Sequence, residues 1–467
     1  MHTKIALLLP GHQYYFQSDI TPNGKIDAFR KKIYERINRS GFLCEYIGRK
    51  DINNAALSGY TALFLLNIEK LSDDQHETIK TYIKNGGDLV LSYRSPLLEG
   101  FGIKINGVHH SHAISLGQKE IIYSAVNIDN ILFKINRKYL NNALPLQQIL
   151  KLPALKIDAD KNNTALAAWK GSGLSALMIN SSYASPGKII YFPGVLAGTE
   201  PSLLEHILSL LEKNNTKRLP FIPKDKRCCV TLFYDYEREY GNRRLGLHAK
   251  RGLEFILESQ KKYHIKATFN TVGKICEAYP ETIERIIKDG HEISSHMYNS
   301  EVPSKTKREV IENSIKLSLK KFKDMFNIDI KGIRSPESKW SRDLIEILQD
   351  NGLLWDAEDE ASSFPYNMVL ERRLDIVRMP VSCDDFPYIS QRSSPEAMLQ
   401  KFISTVEKGI KEKNFVSIGF HPWIQGMEEK RLKAFEKFLD YLSSNDNIVL
   451  MTFGEVYNWL KTRNSIS

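Results

Sequence analysis

Cysteine is scarce in this chain. There are five in 467 residues, Cys44, Cys228, Cys229, Cys276 and Cys383, and no CxxC pair. A sparse, odd set excludes a disulfide framework and points to free thiols in a reducing compartment. Glycine (27) and proline (18) are also few, which excludes collagen-like and low-complexity character. No apolar run approaches the roughly 18 residues of a membrane-spanning helix. There is no arginine-rich arm and no basic run interleaved with aromatics. The net charge of +10, from 65 basic and 55 acidic residues, is therefore a diffuse excess that names no nucleic-acid partner. The opening apolar run Ile5–Leu9 is too short for a signal-peptide core and is closed by Pro10-Gly11. It reads as a first buried strand, and a cytoplasmic location is expected.

What the chain has is an ordinary globular balance, 42% apolar and 26% charged, over a length that suits two or three domains. It divides near residue 220. The first half alternates strand and helix patterns. Ile5–Leu9 and Tyr60–Leu66 read as strands and Asp27–Ser40 as a helix. Ser72–Asn85 is an amphipathic helix with an N-cap serine and acids in its first turn, ended by Gly86-Gly87 before the strand Asp88–Ser92. From Gly107 to about Tyr191 the signals are short strands and loops, followed by the strand Gly187–Phe192 and a helix over Leu203–Lys213. This rhythm predicts a parallel sheet flanked by helices. His109, His110 and His112 read as a polar surface loop, because HHSH matches no defined metal spacing. The stretch 220–226, with two prolines and two lysines, is the expected linker.

The first half is similar in pattern to the glutamine-amidotransferase-like flavodoxin fold. The similarity is carried by Tyr60–Leu66, KLSDDQHETIKTYIKNGGDLVLS and SPGKIIYFPGVL. An active member of that class needs a nucleophilic cysteine in the turn after a strand. The corresponding turn here is Ser92-Tyr93-Arg94-Ser95-Pro96, so residues 1–219 are expected to form an accessory domain without that chemistry.

In the second half, 227–467, polar titratable residues fall repeatedly at the C-terminal ends of apolar strands. They are Asp235 and Glu237 after Val230–Tyr234, His296 after the strand beginning at Gly290, Arg334 after Asp329–Gly332, and His421 after Val416–Phe420. In α/β barrels that edge of the sheet builds the active site, so these residues are expected to converge on one cavity. His291 lies inside a strand pattern and reads as structural. His12, His206, His248 and His264 have no such context. Cys228 and Cys229 should point to opposite faces of one strand.

The blocks FILESQKKYHIKATFNTVGK, YPETIERIIKDGHEISSH, GIRSP and IGFHPW, in that order, resemble the polysaccharide deacetylase family, in its allantoinase-like and chitooligosaccharide deacetylase-like branch. The resemblance implies a distorted (β/α)7 barrel that hydrolyses N- or O-acetyl groups on a sugar or glycan. It implies that Asp235 is the catalytic base, Arg334 its bidentate clamp and His421 the general acid. Glu237 and His296 become ligands of a divalent metal such as zinc, nickel or cobalt, and Pro336, Asp385 and Trp423 become substrate-facing. The acids of MPVSCDDFPY, Asp384 and Asp385, sit where the family places substrate-contacting or His-orienting groups. The family's second metal-binding histidine falls at Ser300. Serine is a poor zinc ligand, although Glu301 next to it offers an oxygen. Two alternatives follow: a non-catalytic carbohydrate-binding protein with a vestigial site, and a metal-independent amide hydrolase of allantoinase-like type.

Overall fold

The computed structural model describes residues 2–8, 28–66, 71–92, 97–101, 105–110, 113–116, 119–122, 153–157, 163–169, 175–180, 186–192, 201–212, 218–223, 226–237, 243–359 and 362–465. In the first half, strands β1 (Lys4–Leu8), β2 (Leu43–Ile47), β3 (Ala62–Leu66) and β4 (Asp88–Ser92) are apolar and almost wholly buried, as strands covered on both faces must be. The helix Asp73–Lys84 starts at a reciprocal cap: Gln75 N–H donates to Ser72 Oγ at 3.3 Å, and Ser72 N–H donates to Gln75 Oε1 at 3.0 Å.

The stretch expected to be short strands and loops contributes β5 (Ile105–His110), β6 (Ala113–Leu116), β7 (Lys119–Ile122), β8 (Pro153–Ile157), β9 (Asn163–Trp169), β10 (Ser175–Asn180) and β11 (Ile189–Phe192). The order is β2-β1-β3-β4-β11-β10-β9-β6-β7. The pairings from β2 to β11 are parallel and those from β11 to β7 antiparallel, so the sheet is mixed rather than uniformly parallel. His109 and His110 lie on β5, paired antiparallel with β8, and not in a loop. The local pattern Ile105-Asn106-Gly107-Val108 had hidden that strand, since its partner is about fifty residues away in sequence. His112 lies outside the described residues, as does the turn 93–96.

The second sheet is built from β12 (Cys228–Tyr236), β13 (Thr268–Thr271), β14 (Glu292–Ser295), β15 (Gly332–Arg334), β16 (Trp355–Asp359), β17 (Tyr366–Val369), β18 (Arg373–Val381), β19 (Cys383–Asp384), β20 (Phe415–Phe420) and β21 (Ile448–Leu450). Parallel pairing runs from β12 through β13, β14, β15 and β16 to β18. Past Ser382 the chain continues as β19, which pairs with β20, and β20 pairs with β12. The ladder thus comes back to its first strand. Only β17, at the outer edge of β18, is antiparallel.

Period-two alternation sorts β12. Cys228, Val230, Leu232, Tyr234 and Tyr236 pack against the covering helices with Ile256, Leu257 and Phe435. Cys229 and Phe233 belong to the opposite cluster with Ile333, Trp355 and Phe453. The two adjacent thiols therefore face opposite ways, and Asp235 shares the parity of Phe233. Gly332 is required by a close approach, since a Cβ there would stand 2.0 Å from Trp355 Cε2.

The two sheets meet edge to edge. Asn367 of β17 uses its side-chain amide as a strand would, with Oδ1 accepting from Tyr46 N–H at 3.1 Å and Nδ2 donating to Tyr46 O at 2.8 Å. Tyr34 stacks on Tyr46 at 4.5 Å. The expected linker is no free spacer: Phe221 and Ile222 are buried in the same core, and Trp459 Nε1 donates to Phe221 O at 2.8 Å.

Candidate active site

The polar residues at the strand ends come together. Asp235 is the penultimate residue of β12, and Glu237 is the first residue past it. His296 follows β14 directly, Arg334 ends β15, and His421 follows β20. Parallel register puts Asp235 beside Asn270, and Asn270 beside Ser294. These three form a directed chain: Ser294 Oγ donates to Asn270 Oδ1 at 2.5 Å, and Asn270 Nδ2 donates to Asp235 Oδ1 at 2.7 Å. The ionised Asp235 can only accept, so it fixes which end of the amide faces it, and the serine hydroxyl turns to suit.

Asp235 is 3% exposed. Its second oxygen, Oδ2, accepts from Arg334 Nε at 2.9 Å. Burial alone would raise this carboxyl. The charge of Arg334, then the two imidazoles and the Asn270 bond, outweigh burial and hold it below the usual range. The expected bidentate clamp is not formed. Arg334 spends one N–H on Asp235 and directs the others to Ser338 Oγ (3.1 Å), Ala357 O (3.3 Å), Asp359 Oδ1 (3.4 Å) and Asp384 Oδ2 (3.5 Å), while its plane lies 4.9 Å from the Phe233 ring centroid. A guanidinium enclosed on every side serves each neighbour once, and Asn270 takes the oxygen left over. Ser338 stands in a left-handed conformation (φ 52°), as does Glu337 before it (φ 57°), which is strain of the kind concentrated at functional sites.

His421 is held from behind. Its Nδ1 donates to Asp385 Oδ1 at 2.7 Å and its backbone N–H to Asp385 Oδ2 at 3.0 Å, where Gln425 Nε2 also donates at 2.6 Å. Burial would lower this imidazole, but the Asp385 charge and hydrogen bond prevail and raise it to about 10. Its free edge, Nε2, lies 3.7 Å from Asp235 Oδ2 and 4.0 Å from Glu237 Oε1. Asp385 is therefore not substrate-facing. It is 0% exposed, and its oxygens are taken by three donors. Pro336 and Trp423 are also buried, with the Trp423 ring 6.2 Å from that of His421. The apolar group that does lie open beside His421 is Phe386, 46% exposed, with its ring 6.0 Å away.

His296 donates from Nδ1 to Arg334 O at 2.9 Å, which leaves Nε2 to face Glu237 Oε2 at 3.6 Å. These are two of the donors that the implied divalent ion needs, and the third is missing. By the family's spacing that third donor is expected at Ser300, which stands in a left-handed conformation (φ 59°). The Glu301 carboxylate accepts from Asn299 N–H (2.9 Å) and Asn299 Nδ2 (3.2 Å) in its own loop and from Ser314 Oγ (2.7 Å) on the helix Arg308–Phe326. Among the described residues, no group of three His, Cys, Asp or Glu side chains has the arrangement to hold a metal. The donor set does not fit the metal.

Sequence reasoning passed over Asn270, Gln425, Glu358 and Asp359. Asn270 and the acids of WDAED also sit at strand ends, so the same rule reaches them once the strand bounds are right. Glu358 is buried beneath Arg334, accepting from Ser335 N–H and Ser338 Oγ, each at 3.0 Å, and burial pushes it up to about 7. Asp384, half a step closer to the surface, is pushed up to about 6 by burial.

Comparison with known proteins gives partial matches. A peptidoglycan deacetylase of Helicobacter pylori is 22% identical over 249 residues, 46% of this chain and 85% of that protein. A peptidoglycan-N-acetylglucosamine deacetylase of Bacillus cereus is 29% identical over 171 residues, 33% of this chain and 57% of that protein, so the chain spans little more than half its length. Among solved structures, Puue allantoinase is similar with a TM-score of 0.47 at 15% identity, over 52% of this chain and 93% of that one. The family model that matches is that of the polysaccharide deacetylases, over residues 225–354, the stretch that carries Asp235, Glu237, His296 and Arg334.

Proposed function

We propose that this chain is a hydrolase that removes acetyl groups from an N- or O-acetylated sugar or glycan. In this reading the catalytic unit is 227–467, a distorted seven-stranded (β/α) barrel, which the ladder returning to β12 supports. Residues 1–219 form a glutamine-amidotransferase-like accessory unit, supported by the five parallel strands from β2 to β11, and 220–226 join the two. The peptidoglycan deacetylases among the relatives, and the family model, support an acetylated-sugar substrate.

The observation that carries the reading is the pair Asp235–His421: an ionised acceptor and a charged donor 3.7 Å apart at the C-terminal ends of neighbouring strands. In the proposed cycle, water attacks the acetyl carbonyl while Asp235 Oδ2 takes its proton. His421 Nε2–H then delivers a proton to the leaving nitrogen or oxygen as the C–N or C–O bond breaks. General acid–base help of this kind is worth roughly 10²–10⁴ in rate. Arg334 and Asn270 hold the base ionised and aimed, and Asp385 with Gln425 does the same for the acid. Acetate release from N-acetyl- and O-acetyl-sugar oligomers tests the reading. Asp235→Asn should abolish release while leaving the fold intact. Full activity in that variant removes Asp235 from the mechanism.

Ser300 favours a second reading, a carbohydrate-binding protein without turnover. It predicts glycan binding with no acetate released by either wild type or Asp235→Asn. An allantoinase-like amide hydrolase shares the Asp235–His421 chemistry and is separated from both by activity on small linear or cyclic amides alone.

A further inference from the structure

Glu237 Oε2 and His296 Nε2 stand 3.6 Å apart, a spacing that suits either a shared metal ion or a shared water. The number of donors decides between them. A zinc-type catalytic centre takes three protein ligands and keeps one open position. By motif spacing the third ligand here is Ser300, a neutral hydroxyl. Neighbouring groups do not replace it. Glu301 is taken by Asn299 and by Ser314 of the following helix, Asp235 accepts from Arg334 on one oxygen and Asn270 on the other, and His421 Nδ1 is committed to Asp385.

We propose that this centre holds a reacting water with protein atoms alone and keeps no resident divalent ion: Ser300 removes the third ligand, and Glu237 is a water acceptor rather than a metal ligand. The geometry gives Glu237 that role. Its two oxygens look toward the two imidazoles, Oε2 at 3.6 Å from His296 and Oε1 at 4.0 Å from His421, both beyond a direct hydrogen bond and within the span of one water. His296 spends its Nδ1 proton on the Arg334 carbonyl, which turns Nε2 toward the same water and leaves one of the water's protons for Asp235. The tautomer that suits a metal thus also suits a water.

The inference rests on the hydrolase reading only for the purpose of the water. Its test needs no substrate. The full chain, free of any purification tag, is equilibrated in turn with zinc, nickel and cobalt, dialysed, and analysed for metal by elemental mass spectrometry. The expected result is well under about a tenth of an ion per wild-type chain, and about one ion per chain in Ser300→His, which restores a third imidazole. Ser300→Asp serves as a second restoring variant in case the larger ring disturbs the fold. A wild-type chain that holds about one ion, and loses it in Glu237→Gln and His296→Ala, overturns the proposal. Folded Ser300→His and Ser300→Asp proteins that both stay metal-free overturn the assignment to Ser300. Absence of acetate release in an otherwise metal-free wild type counts against the hydrolase reading and leaves the metal result standing, so the two failures are distinguishable.

Discussion

His421 and Asp385 are joined twice: ring Nδ1 to Oδ1 at 2.7 Å and backbone N–H to Oδ2 at 3.0 Å. A buried carboxylate with no exposure has thus become the back wall of an imidazole whose other edge faces Asp235 and Glu237. The pair sets a pH dependence. Asp385 raises His421 to about 10 against the opposing effect of burial, so the charged, proton-donating form persists through neutral pH. Activity that uses this acid should hold on the alkaline side until about pH 10 and then fall. Asp385→Asn should bring the alkaline limb down toward the ordinary imidazole value of about 6.5. It should also lower kcat/KM at pH 8 by roughly 10²-fold or more. The sign for stability follows from linkage. The raised folded pKa makes the pair's contribution complete below about pH 6.5, and it is lost as pH rises toward the folded value. A pH–rate profile of Asp385→Asn that keeps the wild-type alkaline limb rules out this role.

Arg334 joins five acceptors beside a buried carboxylate, so its loss should be felt in the fold as well as in the reaction. Arg334→Met leaves Asp235 buried with Asn270 as its remaining hydrogen-bond donor. Stranding a buried charge in this way destabilises by about 3–5 kcal/mol. Denaturant unfolding should show that loss, and Asp235→Asn in the same background should recover part of it by removing the stranded charge. Equal stability of the single and double variants would falsify the electrostatic account.

How far the site was legible in the sequence follows from where its signals lie. Asp235, His296, Arg334 and His421 each stand at the end of a short strand pattern, and a strand that stops at a titratable residue can be read one element at a time. Most strand positions in the second half are readable for the same reason, including Val416–Phe420, which lies within the observed Phe415–Phe420. The contacts that decide roles are not local. Asp385 belongs behind His421 because β19 pairs with β20, thirty-odd residues on, and nothing in CDDFPY says which of two adjacent acids points inward. The antiparallel strands between Ile105 and Asn180 are legible only through their pairing, and the split of Arg334 among several acceptors only through burial.

Arg378 and Asp356 make a fully buried ion pair on neighbouring strands, with N–O distances of 2.9, 3.0 and 2.6 Å, and Arg378 lies 4.1 Å from the Trp340 ring centroid. It supports β16, whose end carries Glu358 and Asp359. Arg378→Met should cost about 3–5 kcal/mol, because Asp356 keeps its charge with no cation beside it. The double change Arg378→Met with Asp356→Leu should be far milder, since an apolar pair of similar volume is often neutral in such a place. Thermal unfolding of the two variants gives the comparison, and a double variant worse than the single would sink the idea.

Asn367 carries the last prediction. Its amide meets both the N–H and the C=O of Tyr46, so one side chain ties the edge of the second sheet to the edge of the first. Two exposed sheet edges that would otherwise invite pairing with other chains cover each other here. Asn367→Ala leaves two buried backbone groups unpaired, at about 1–3 kcal/mol for each group left unsatisfied. Buried Arg463 adds to the same joint, donating to Asn38 Oδ1 at 2.9 Å, Phe42 O at 3.0 Å and Leu219 O at 3.2 Å. Weakening both at once, in Asn367→Ala with Arg463→Met, should uncouple the halves. Calorimetry should then resolve two unfolding transitions where the wild type has one, and acetyl hydrolysis should survive at temperatures below the first. A single transition retained in the double variant would show that the remaining contacts, among them the packing of Tyr34, Tyr46 and Tyr366 and the Arg373–Glu45 ion pair, suffice to couple the two sheets.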